Sequence, residues 1–169
     1  RMEEMLREAE EKQRLVFESI GEGITVIDLE GRIVDVNEAQ IRVFGYSDKI
    51  EVIGRHGFEF VAEKDHVRLM EEMVKAIETG YGAAVECTLV AKGGREFDGE
   101  ASAALLRDSS GNPVGLIAVI RDITERKWMV EALRETEEKQ RLVFESIGEG
   151  IAIVDLEGRI VDVNEAAVR

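Results

Sequence analysis

Apolar residues along the chain fall into runs whose spacing shifts from a helical period to a strand period and back. Residues 2–19 hold no Gly or Pro. Leu6, Leu15, Val16, Phe17 and Ile20 gather near one face, which predicts an amphipathic helix. Gly21 and Gly23 end it. Residues 24–29 and 32–37 are β-branched runs joined by Glu30-Gly31, a hairpin signature because Gly supplies positive φ. Asn37 is placed to cap a short helix over 38–44, and Gly45-Tyr46-Ser47 breaks it. A stretch of loop and short helix comes next, carrying Ile50, Val52, Ile53, Phe58, Phe60 and Val61.

Residues 62–79 predict the clearest helix, with a stripe of Leu69, Met73, Val74 and Ile77 and with Gly80 as its C-cap. Three strands are expected next, over 84–92, 95–106 and 114–123. The first alternates Val85, Cys87 and Leu89 against Glu86 and Thr88. The last is apolar on both faces, which predicts cover on both sides of the sheet. Residues 124–147 read as helix again. Five strands with helices grouped between the second and third predict an α+β fold with an antiparallel sheet.

The chain also repeats itself. Residues 10–39 and 137–166 agree at 27 of 30 positions, and the differences are Thr25/Ala152, Val26/Ile153 and Ile27/Val154. The expected organisation is an N-terminal helix over 1–20, a domain over 21–123, a linker helix over 124–147, and the start of a second, incomplete domain over 148–169. An isolated hairpin is marginal in water, so residues 151–163 are expected to dock. The sharpest version is a domain swap in which they replace residues 24–37 on a partner chain. Edge pairing, or packing on the chain's own first unit, is the milder version.

Composition narrows the function. With 36 acidic against 22 basic residues the net charge is −14. That argues against a nucleic-acid surface and against contact with an anionic membrane. No apolar run is long enough for a membrane-spanning helix, and the acidic N-terminus does not resemble a signal peptide. One cysteine excludes an intramolecular disulfide, and the reducing cytoplasm is the expected location. There is no Ser/His/Asp set, no carboxylate pair and no metal-ligand spacing, so no catalytic or metal residue is expected. The Gly-Glu-Gly at 21–23 lacks the Lys and the adjoining helix of a phosphate loop.

The stretches GITVIDLEGRIVDVNEA and FGYS, the helix end IETG, the turn KGGRE, the loop SSGNPVG and the run IRDITERK, in this order, resemble a PAS domain over residues 10–127, with a second start at 137–169. The resemblance implies a five-stranded antiparallel sheet with flanking helices, a homodimer, and signalling to an output domain such as a histidine kinase. It implies a sensory module rather than an enzyme. The alternatives are a dimerisation module without ligand and a haem- or flavin-bound redox or gas sensor.

The resemblance also implies a cavity between sheet and long helix. Small Gly99, Ala101 and Ala103 share a face of the fourth strand with Phe97 and Leu105, opposite Leu69, Met73 and Ile77. Such residues permit either close approach or a void. A ligand there would be small and mostly apolar, meeting Phe44, Phe58, Phe60, Leu69, Met73, Ile77, Cys87, Leu89, Ala101 and Ala103. No cofactor is expected. The haem-ligand position falls on Leu69, so His66 and His56 are expected to be exposed surface residues, and Cys87 lies mid-strand rather than in a flavin motif. Asp122, with Glu125 three residues on, has capping-box spacing. By the resemblance, Asp122 and Thr124 would couple sensor to outgoing helix, with Asp122 also paired to a basic side chain of the core. A heptad frame places Val130, Leu133, Phe144 and Ile147 on a half-polar seam, as in a weak dimeric coiled coil.

Overall fold

The computed structural model describes residues 1–169, which divide into two compact units, Arg1–Thr124 and Glu125–Arg169. The first contains α1 (Met2–Ser19), β1 (Gly23–Ile27), β2 (Ile33–Val36), α2 (Glu38–Phe44), three short 3-10 turns, α3 (His66–Thr79), β3 (Val85–Val90), a fourth 3-10 turn (Lys92–Gly94), β4 (Glu96–Arg107) and β5 (Pro113–Asp122). The strands form one antiparallel sheet in the order β2-β1-β5-β4-β3. The last strand is therefore central. The α+β class with a five-stranded antiparallel sheet is as the sequence predicts.

The core lies between the sheet and the α2–α3 layer. Phe44 sits at its centre, edge-on to Phe60 at 5.6 Å and to Phe97 at 5.4 Å between ring centroids. Such edge contacts add about 0.5–1.5 kcal/mol each beyond the area they bury.

Three expectations are corrected. The long helix begins at His66, not at residue 62, because Val61 bridges Leu89 and the Ala62 N–H donates to Thr88 O at 2.9 Å. A segment held extended against β3 is not available to a helix. On α3 the inward positions are Leu69, Met73 and Ala76; Val74 and Ile77 are exposed, Ile77 at 41%. The packing stripe thus turns one residue earlier than apolarity suggests. The double cover expected of β5 is partial: Leu116 and Ile120 are buried, while Ile117 and Val119 on the other face are only half-buried.

The second unit continues α4 (Thr124–Ser146) into β6 (Ala152–Val154), β7 (Ile160–Val163) and α5 (Glu165–Val168). Its two strands pair antiparallel, with the same one-residue irregularity that β1 and β2 show. The α4 helix has no buried side chain.

Candidate functional site

Between the sheet and α3 lies a partly open cavity of about 100 Å³. Its floor is set by register. Thr25, Ala118 and Ala103 stand side by side across β1, β5 and β4. Two alanines in this row leave room beneath α3. Two rows away on the same face the small residue works differently: a Cβ on Gly99 would collide with Leu89 Cδ1, so Leu89 occupies that space. The two outcomes available to a stripe of small residues, void and close approach, thus occur side by side.

Of the ten residues expected to form the pocket, Phe44, Phe58, Phe60 and Leu69 line it, as do Met73, Leu89, Ala101 and Ala103. Ile77 does not, because it points outward. Cys87 is buried in the core outside the lining, and burial pushes its thiol up to about 11, a protonated and unreactive state at neutral pH.

Several polar residues on the wall escape a reading of the sequence. Thr25 and Gln40 are both buried, Glu72 faces inward from α3, and His56 stands beside Gly31. Strand alternation from Ile27 places Thr25 on the inner face and is the available signal. Glu72 Oε2 accepts the Ala83 N–H at 2.8 Å, and Lys75 donates to Oε1. The Lys75 bond, then the Ala83 N–H, holds this carboxyl below the usual range.

Neither histidine is a plain surface residue, which corrects the expectation. His56 Nδ1 accepts the Phe58 N–H at 3.3 Å, and the His56 ring stacks on Phe58 with centroids 5.6 Å apart. Gly31 (φ 81°) permits this, since a Cβ there would stand 2.6 Å from His56 Nε2. His66 Nε2 lies 2.8 Å from Val61 O, and its ring meets Phe58 at 5.0 Å.

A second constellation fastens the incoming helix. Asn37 is fully buried. Its Oδ1 accepts the N–H groups of Ile24 (2.9 Å) and Gln40 (3.0 Å), and its Nδ2 faces the carbonyls of Phe17, Ile20 and Glu22. One side chain thus closes the C-terminal end of α1, the start of β1 and the N-terminus of α2. Asn164 repeats this in the second unit, with Oδ1 on Ile151 and Ala167 and Nδ2 on Phe144, Ile147 and Glu149. Phe144 is half-buried beside this joint, whereas Val130, Leu133 and Ile147 are exposed.

At the outgoing end, Asp122 Oδ1 accepts the Thr124 N–H at 2.9 Å, and buried Ile123 donates its N–H to Asp98 O. At the preceding position, Arg121 binds Glu22 and reaches Glu100 at 3.4 Å, contacts that do not involve Asp122. The Glu22 carbonyl is one of those facing Asn37.

A PAS-domain family model matches residues 21–125, and a second PAS-domain model matches residues 138–169. Sensor histidine kinase TmoS of Ectopseudomonas mendocina is 26% identical over 135 residues, covering 79% of this chain and 14% of that protein. Sporulation kinase E of Bacillus subtilis is 26% identical over 169 residues, covering 98% of this chain and 22% of that protein. The chain therefore spans less than a quarter of these relatives' lengths. Among solved structures, the PAS domain of a Colwellia psychrerythraea protein aligns with a TM-score of 0.62 at 26% identity, covering 68% of this chain and 97% of that one. The PAS domain of an HTR-like protein from Haloarcula marismortui aligns with a TM-score of 0.59 at 24% identity, covering 72% of this chain and 98% of that one. No helix of the chain is long and apolar enough to cross a membrane.

Proposed function

The chain belongs to the PAS-domain family and is a sensory signalling module, and on that footing we propose that its first unit senses a small, mostly apolar molecule held between sheet and α3. The observation that carries this reading is the cavity of about 100 Å³ above the Thr25–Ala118–Ala103 row. A functional pocket needs an apolar wall with a few convergent polar groups, and Gln40, His56 and Glu72 supply them beside the phenylalanines.

The module is non-catalytic and carries no resident cofactor. Occupancy shifts the sheet against α3, and the shift leaves through β5 and the Asp122–Thr124 turn into α4. The output lies outside these residues and is a histidine kinase or a comparable domain, a role that the named activity of two kinase relatives supports. Exposed Val130 and Leu133 suit a homodimeric helix seam, and the exposed hairpin at 151–163 suits strand exchange between copies. A single buried thiol suits the reducing cytoplasm.

The test is native mass spectrometry of the purified protein, then thermal-shift screening of small alcohols, hydrocarbons and aromatics. A co-purifying molecule, or a reproducible rise in Tm, is expected. No bound mass and no shift would leave a dimerisation module without ligand. A visible absorption band would replace the reading with a cofactor-bound sensor.

A further inference from the structure

Two buried polar groups on the cavity wall lack a partner. Thr25 is 5% exposed and Gln40 is 7% exposed, and neither Thr25 Oγ1 nor Gln40 Oε1 has a hydrogen-bond partner. Orphaned buried oxygens are costly and uncommon; both residues line the same cavity, with Gln40 Oε1 lying over Gly23, so a polar group bound there would relieve the cost.

The repeat singles out the same two positions. Residues 10–42 and 137–169 differ at five positions. Three of these only exchange Val and Ile. The other two are Thr25/Ala152 and Gln40/Ala167, and they are the only changes of polarity. In two otherwise near-identical segments, polarity has diverged only where the first copy's cavity holds unpaired oxygens.

We propose that Thr25 and Gln40 form a polar pole that binds a hydroxyl group on a small apolar molecule. The inference rests on the cavity reading above and names the ligand's chemistry. A hydroxyl both donates and accepts, so it satisfies the Thr25 hydroxyl and either end of the Gln40 amide. No Lys or Arg lines the cavity, so a carboxylate or phosphate would find no counter-charge, and it would face Glu72. The size is bounded as well. A cavity of about 150 Å³ holds benzene, so this one takes roughly four to six non-hydrogen atoms.

The test uses the full 169-residue chain and two probes matched in heavy-atom count, n-butanol and n-pentane. Each is titrated while amide spectra track the Thr25 backbone and the Gln40 side chain. The alcohol is expected to bind about tenfold more tightly than the alkane. The paired variant Thr25→Val with Gln40→Met, which keeps volume and removes both polar groups, should lose or reverse that preference. Thr25→Ser, which keeps the hydroxyl, should retain it. Equal binding of the two probes to the unmodified chain overturns the polar pole and leaves the cavity reading standing. A preference for the alcohol that survives in the paired variant also overturns the pole. Binding of neither probe overturns the cavity reading and this inference with it.

Discussion

The hairpins β1–β2 and β6–β7 have almost the same sequence and opposite surroundings. Ile27 and Ile33 are 6% and 3% exposed; their counterparts Val154 and Ile160 are 56% and 68% exposed. Local structure survives this change intact. Strand pairing, the Asn cap and the joint to the preceding helix recur with nearly equal distances, for example 2.9 and 2.8 Å for the Ile24 and Ile151 amides. What the first hairpin gains from α3, β5 and their neighbours is burial, and burial of apolar surface is the dominant stabilising contribution in a fold. Backbone pattern and capping therefore specify the shape, while the rest of the unit supplies most of the free energy.

Two expected effects are comparably large, and one of them comes from the joint. Asn37→Asp keeps both accepted bonds and sets a buried carboxylate against three carbonyls. It should cost the first unit roughly 2–4 kcal/mol in chemical denaturation. Asn164→Asp should leave that transition in place and disturb only amides within 144–167, read by hydrogen exchange. The other is the matched truncation. Ile33→Ala should cost about 2–5 kcal/mol, against less than about 0.5 kcal/mol for Ile160→Ala. If the second hairpin docks on another copy, the Ile160→Ala cost will grow with protein concentration. A flat, small value from micromolar to millimolar protein would exclude docking in solution.

A smaller effect is kinetic. Amides of β6 and β7 should exchange far faster than those of β1 and β2, since little buried contact opposes their opening. Equal protection in a dilute monomer would break the comparison.

The smallest effect is a pH dependence. The Arg159 backbone N–H, with the Arg159 side chain, holds the Asp155 carboxyl below its ordinary value. A depressed carboxyl stabilises above its unfolded pKa and loses that contribution as pH falls through the folded one. Protection of the Glu157 and Arg159 amides should therefore fall below about pH 4, and Asp155→Asn should remove that step.

The difference between the hairpins also shows which parts of the fold are readable from sequence. The Glu30-Gly31 turn, the Asn37 cap and the strand periods are local, and sequence carries them. The start of α3 is not legible, because Ala62 looks helical until β3 claims the Val61–Ala62 backbone. Apolarity marks Ile77 more strongly than Ala76, yet Ala76 is the position on the packed face. Thr25 and Gln40 go unseen when a pocket is sought among apolar side chains. The Arg121–Glu22 contact joins residues far apart in the chain, and no local pattern announces it.

The Asn joint has one more consequence. Beside the amide it uses one carboxylate, Glu18 in the first copy and Glu145 in the second, and otherwise main-chain groups, all inside the repeated segment. A seam of that kind can be copied without redesign. Duplicating the segment therefore carries the whole joint with it, and Asn164 makes the same five contacts that Asn37 makes.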